Sequence, residues 1–395
     1  MMPERLATPW SVARPRSRAG LTAVMGFGAF AIALFALPLL SVAENRLALG
    51  RPVFGAEVLG GNGALVLAAV LTGLIFLILE LRRWAPFLAV AAFAFALLLF
   101  ADALGQGAAR SLGGLAPAAR ASLGGGAWLT LGLLGFALGL AIQSTRAMGV
   151  GLAVGIGLIL AIGMLGHAGR FKALSLAVEY GARRDTVDTA ILDHLVLSGA
   201  AVALALAGAI LLSLWRRGQG FVAILVAGIQ VVPAVALLGA LVGVTAGLLR
   251  AAPTLREFGL SALGAVPAVV AIAAYLLLPL WRGLALALPA ADPVTLEAAH
   301  ALGFTPRQTL VGIRLPLGAP ILVGALRVAA VQSLGLATLG ALVGAGSLGR
   351  IVFDGMAQFA PDLILLGAIP VVALSLGAEM GLSRLESAAQ QRWHA

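Results

Sequence analysis

The chain has no cysteine, a single lysine at Lys172, two tyrosines and four histidines, and each scarcity removes a class of function. Without cysteine there are no disulfides and no thiolate metal sites. A phosphate-binding P-loop needs a lysine directly after its glycines, and Lys172 follows Gly169-Arg170-Phe171 with no Gly-Lys-Ser/Thr around it. The chain therefore does not hydrolyse ATP by that route. The histidines are far apart in sequence and none stands beside an evident nucleophile, so no catalytic residue is assigned and an enzyme is not expected. The acids and histidines between 167 and 194 lack converging i, i+3 or i, i+4 placement, and no metal site is expected.

Charge is scarce too: Asp, Glu, Lys and Arg make up 11% of the 395 residues, against 61% hydrophobic. With a mean hydropathy of +1.06, this composition describes a polytopic membrane protein rather than a soluble domain. The net charge of +10 comes from arginines dispersed among short polar segments without interleaved aromatics, which argues against nucleic acid. The tendency of cytoplasmic loops to carry positive charge accounts for them better.

Apolar runs predict membrane spans near 21–40, 63–81, 84–101, 127–143, 147–166, 195–214, 220–248, 259–281, 317–340 and 361–382, about ten in all. The basic flank of Arg5, Arg14, Arg16 and Arg18 before the first run points to a cytoplasmic N-terminus, and the span count returns the C-terminus to the same side. Ser41-Val42-Ala43 faintly resembles a signal-peptidase site, but the run before it is long enough to span. Segments 44–62 and 102–126 then lie outside, as does the polar stretch 167–194, which reads as a connecting loop, a short amphipathic helix lying on the membrane, or a docking surface for an extracytoplasmic protein. Gly132, Gly135 and Gly139, with Gly151 and Gly155, have the spacing of close helix contacts.

One polar-punctuated stretch, 292–316, reads as helix, glycine turn and helix between apolar runs. Asp292 is placed to cap a helix whose first residue is Pro293, Gly303 to end it in a left-handed turn, and Thr305-Pro-Arg-Gln308 to open the next as a capping box. Glu297-Ala298-Ala299, Gly303 and Ile313-Arg314-Leu315-Pro316 resemble, at every fixed position, the signature of the membrane subunits of bacterial ABC importers. That resemblance implies a cytoplasmic loop, 282–316, whose coupling helix docks on a separate ATPase subunit. Glu297, Ala298, Ala299, Gly303, Arg307, Arg314, Leu315 and Pro316 would carry the coupling. It also implies an all-α permease core of the type I importer fold in the bacterial cytoplasmic (inner) membrane.

From about 190 to 385 the landmarks are similar to the quaternary-amine osmoprotectant permeases, the glycine betaine and choline class. They are Asp193-His194-Leu195, Gly228-Ile-Gln230-Val-Val-Pro233, Val266-Pro267-Ala268, Ala337-Thr338-Leu339 and Gly344-Ala-Gly346-Ser-Leu348-Gly349. Residues 191–395 are thus expected to form the permease core, and 1–190 an N-terminal extension of about five spans, as in a subgroup of these permeases. The resemblance further implies a permease homodimer, two copies of an ATPase holding the ATP and magnesium, and an extracytoplasmic binding protein. No cofactor is expected on this chain itself.

Polar residues within spans mark either a path or a helix contact. Gln230 with the helix-breaking Pro233, and Gln332, Ser333 and Thr338, are the candidates for lining an alternating-access path, with interhelical hydrogen bonding as the other reading. Glu379 faces the path or pairs with Arg327. Gly344, Gly346, Leu348 and Gly349 are expected in an extracytoplasmic turn. Two alternatives stand: an importer of amino acids or another small cation, which shares the coupling signature, and an ion-coupled secondary transporter. The latter is expected to show a buried acidic residue or inverted repeats and has no use for a coupling loop.

Overall fold

A computed structural model describes residues 25–45, 48–79, 83–147, 149–215 and 218–393. The arginine-rich N-terminal segment, Arg82 and the Arg216-Arg217 pair lie outside the described residues. Among the described residues, eight helices are long and apolar enough to cross a membrane, and three shorter apolar helices accompany them. The chain divides into two compact units, 1–178 and 179–395; the boundary expected at 190 falls inside a helix.

The first unit contains α1 (Met25–Ala36), β1 (Pro38–Ala43), β2 (Arg51–Phe54), α2 (Gly55–Leu59), α3 (Asn62–Leu79), α4 (Ala85–Ser111), β3 (Arg120–Leu123), α5 (Gly125–Thr145) and α6 (Val150–His167). Here the all-helical expectation needs correction. The apolar run 21–40 does not continue as one helix. Pro38 has no N–H to donate and forces the residue before it out of helical geometry, and Leu37 is extended, with φ −104° and ψ 149°. The chain then becomes the central strand of a three-stranded antiparallel sheet in the order β2-β1-β3. Leu40 pairs with Val53 on one side and Leu123 on the other, so the two segments expected to be external loops each supply a strand.

Leu39, Leu40 and Val53 join Phe93, Phe100 and Leu134 in the core of this unit. The ring of Phe93 lies against Gly73, where a β-carbon would come within 2.7 Å of it, and this brings α3 close to α4. Among the described residues, the glycines with helix-contact spacing do not serve that purpose. Gly132, Gly135, Gly139 and Gly155 face open space, and Gly151 meets a single methyl group, on Ile142 at 3.4 Å. No residue of α6 is buried.

The second unit is reached through α7 (Ser175–Ala182) and comprises α8 (Arg184–Leu214), α9 (Gln219–Val231), α10 (Ala234–Ala251), α11 (Ala265–Ala287), α12 (Pro293–Ala301), α13 (Pro306–Thr309), α14 (Leu315–Ala337), α15 (Leu348–Ala357) and α16 (Pro361–Trp393). Of the readings of 167–194, the helical one fits better than the loop: α7 lies within the stretch, and α8 begins at Arg184, eleven residues before the apolar run at 195. The single run 220–248 is two helices broken at Pro233, whose φ of −58° and ψ of 135° turn the chain.

Ala201, Ala205 and Ala209 recur every four residues on α8 and are buried in the same cluster as Ala268, Ile272 and Leu276 of α11. Lipid is as apolar as these side chains, so small residues act here by letting backbones approach rather than by leaving water. The α11–α14 contact follows the same rule: a β-carbon on Gly283 would strike Ala325, and one on Gly318 would strike the carbonyl of Ala287.

Candidate functional site

The loop between α11 and α14 is built from local rules. The Asp292 carboxylate accepts from the N–H of Val294 at 3.4 Å, and Pro293 takes the first helical position, where a missing N–H costs nothing. At the other end of α12, Gly303 adopts φ 78°. The N–H of Phe304 then reaches the carbonyl of Ala299, and that of Gly303 the carbonyl of His300, both at 3.0 Å. These paired bonds close the helix as a Schellman motif, which needs a left-handed residue and so favours glycine. The capping box is present as read: the N–H of Gln308 donates to Thr305 Oγ1 at 3.3 Å, and Gln308 Oε1 accepts from the N–H of Thr305 at 2.8 Å.

A five-residue π-turn, Leu310–Arg314, leads into α14. Arg314 donates through Nη1 to the carbonyl of Leu288 at 3.2 Å, tying the end of the loop to its beginning. The loop's faces differ. Ala299 is buried, whereas Glu297, Ala298, Gly303, Arg307 and Leu315 are exposed and Pro316 half-buried. The apolar Val294, Leu302 and Val311 are also more than half exposed. A cleft of 510 Å³ is lined by Phe304, Thr305, Arg307, Gln308, Val311 and Gly312. An exposed apolar surface on capped, rigid helices with a cleft beside it is the form of a protein-docking surface rather than of a solvated linker.

Two of the residues weighed for the path, Gln230 and Ser333, fall at contacts between helices. Gln230 donates to the carbonyl of Tyr275 at 2.7 Å, and the Tyr275 hydroxyl in turn donates to the carbonyl of Val232, so α11 braces the break at Pro233 from both sides. Ser333 is buried, and its hydroxyl meets that of Ser198 at 2.5 Å. One turn away on α8, His194 Nε2 donates to the carbonyl of Leu334 at 3.0 Å. Thr338 donates to the carbonyl of Gly335 at 2.7 Å, and Gln332 is half-buried. The sequence singled out Ser333 but not its partner Ser198, since a small hydroxyl in an alanine-rich helix carries no distinguishing signal.

Arg327 of α14 pairs with both Glu379 and Glu386 of α16, the latter at 3.2 Å. Of the two readings of Glu379, the structure thus supports the pair, and it adds a second acid.

The turn 344–349 is equally local in origin. Gly344 has φ 80°, its N–H bonds the carbonyl of Ala341 at 3.1 Å, and that of Ala345 bonds the carbonyl of Gly340 at 3.0 Å. Ser347 then caps α15 by accepting from the N–H of Gly349 at 3.2 Å. Gly346 lies against the carboxylate of Asp193, and Gly349 against the carbonyl of Thr338, so that a β-carbon at either position would collide. Leu348 is fully buried beneath the turn.

Residues 199–387 match the family described as "Binding-protein-dependent transport system inner membrane component", and residues 17–177 match "ABC transporter permease YehY, N-terminal domain". Among curated relatives, the carnitine transport permease protein OpuCB of Listeria monocytogenes is 34% identical over 198 residues, which is 49% of this chain and 84% of that protein. The choline transport system permease protein OpuBB of Bacillus subtilis is 29% identical, over 47% of this chain and 79% of its own length. The osmoprotectant import permease protein OsmW of Salmonella typhimurium is 31% identical over 36% of this chain and 70% of its own. The chain belongs to the binding-protein-dependent ABC importer permeases of the inner membrane, with an N-terminal domain similar to that of the YehY permeases.

Proposed function

We propose that this permease imports quaternary-amine osmoprotectants of the glycine betaine, choline and carnitine class, as one of a pair of identical permeases bound to two ATPase subunits. ATP and magnesium reside on those subunits, and an extracytoplasmic binding protein delivers the amine. The observation that carries the coupling half of this reading is the 292–316 loop: two capped helices at an angle set by Gly303, with exposed apolar side chains beside a cleft. Glu297 and Ala298 on the exposed face of α12, with Arg307 at the cleft, are the contacts for the ATPase; Arg314 holds the loop's shape. The substrate half is supported by the relatives, whose names cite carnitine, choline and osmoprotectants. In this reading 1–190 is an accessory membrane extension, 191–395 is the core, and the turn 344–349 lies on the extracytoplasmic side.

The test is ATP-dependent uptake of radiolabelled glycine betaine and choline by proteoliposomes holding the permease, its ATPase and its binding protein. Glu297→Arg is expected to weaken the ATPase complex and abolish uptake. An assembled, ATP-hydrolysing wild-type complex that carries neither amine would redirect the substrate to amino acids or another small cation. Uptake driven by an ion gradient without ATP would instead indicate a secondary transporter.

A further inference from the structure

Beside the 344–349 turn lies a second cleft, of 260 Å³, lined by Leu342, Gly344, Gly346, Arg350, Phe353 and Asp354 among others. Its charged wall is α15. That helix is strongly two-faced: Leu348, Ile351 and Gly355 are buried, and Gly367 of α16 is close enough to Val352 that a β-carbon would clash. Arg350, Phe353 and Asp354 stand at i, i+3 and i+4 and so share one side of the helix.

Helix stability does not explain this arrangement. The aligned peptide dipoles favour acids in the first turn and bases in the last, and α15 has neither. It carries the reverse, with Arg350 near its start and Asp354 in its second half. The order arginine before aspartate is also the weaker one for an i, i+4 pair, and no ion pair joins the two among the described residues. Two opposite charges thus line one cleft, a helical turn apart with about 5–6 Å between β-carbons, and the ring of Phe353 lines the same cleft.

We infer that this cleft is a binding site for a small zwitterion, with Arg350 taking the carboxylate and Phe353 with Asp354 taking the quaternary ammonium. The inference rests on the amine reading above and narrows it. A guanidinium grips a carboxylate through two parallel N–H bonds. A quaternary ammonium has no N–H to donate, so it is held by charge and by the face of an aromatic ring, which Asp354 and Phe353 supply. A cation without a carboxylate gains nothing from Arg350 and is repelled by it. The site therefore favours trimethylammonium carboxylates such as glycine betaine over choline.

The test compares ATP-driven uptake of the two amines by the complete reconstituted complex, wild type against Arg350→Gln, Arg350→Lys and Asp354→Asn. Wild type is expected to prefer glycine betaine. Arg350→Gln should lower the betaine-to-choline ratio of kcat/KM about tenfold or more, the loss of one charged hydrogen-bonding partner. Arg350→Lys should restore part of it, and Asp354→Asn should reduce uptake of both amines. Thermal unfolding in detergent checks that each variant is folded, and should any fail, competition of choline for radiolabelled betaine bound to the wild-type permease–ATPase complex without its binding protein decides. Betaine uptake with an unchanged ratio in Arg350→Gln, or choline bound as well as betaine by the permease–ATPase complex without its binding protein, overturns the site while leaving the amine importer intact. An active complex that carries no amine overturns both.

Discussion

His194 and Leu334 are joined across 140 residues: the imidazole Nε2 of the first donates to the main-chain carbonyl of the second at 3.0 Å. Leu334 lies in the last turn of α14, where the N–H of Thr338 bonds the carbonyls of Gly335 and Leu336 rather than that of Leu334. A side chain from α8 thus bonds the main chain of α14 in its last turn. Because a carbonyl only accepts, Nε2 carries the proton, and the ring's other nitrogen is buried with no partner among the described residues.

Replacing His194 with alanine should destabilise the protein by about 2–4 kcal/mol, combining an unpaired buried carbonyl with the space left by the ring. Thermal unfolding in detergent measures this. His194→Gln, with an N–H in reach of the same carbonyl, should recover part of the loss, and an alanine variant as stable as wild type would mean that the contact does not matter.

Gly349→Ala should cost about 1–3 kcal/mol, because its methyl would run into the carbonyl of Thr338, a backbone atom unable to swing aside. Gly335→Ala is the control. Nothing lies within contact of that position, and alanine is the better helix former, so this variant should be neutral or slightly stabilising in the same unfolding assay.

At Gly303 the strain is in the backbone. With φ at 78° and open space around it, Gly303→Ala is expected to cost about 1 kcal/mol, and Gly303→Asn less. The larger effect should be on ATPase binding, measured by co-purification, since the turn sets the angle between α12 and α13. Equal retention of the ATPase by both variants would remove Gly303 from the docking geometry.

The ion network of Arg327 with Glu379 and Glu386 is partly exposed, the arginine side chain by 29%. Arg327→Gln should therefore cost only about 1 kcal/mol, falling with added salt if the site is open to solvent. Arg327→Lys should not fully restore it, because one ammonium lacks the fork with which a guanidinium meets two carboxylates. Unfolding at low and high ionic strength separates the variants.

The 292–316 loop is readable residue by residue because its information is local: Asp292, Pro293, Gly303, Thr305 and Gln308 each act within a few positions of themselves. The long apolar runs were readable for the same reason. What escaped was set by distant partners or by short segments. Pro38 sits in a run apolar enough to span, and only the pairing of Leu40 with Val53 and Leu123 makes it a strand. The polar start of α8 looked like loop because Asp185, Asp188 and Asp193 interrupt the apolar pattern. Conversely, the spacing of Gly132, Gly135 and Gly139 suggests a contact that is not made among the described residues. The partners of Gln230 and Ser333 lie 45 and 135 residues away, beyond the reach of any local pattern.

The bond from Arg314 to Leu288 makes a closed ring of the intervening chain, and just behind it Gly318 meets Ala287 and Gly283 meets Ala325. A load taken up at the tip of that ring cannot bend one helix and spare the other. Any displacement there would reach α11 and α14 together, by way of the π-turn at 310–314.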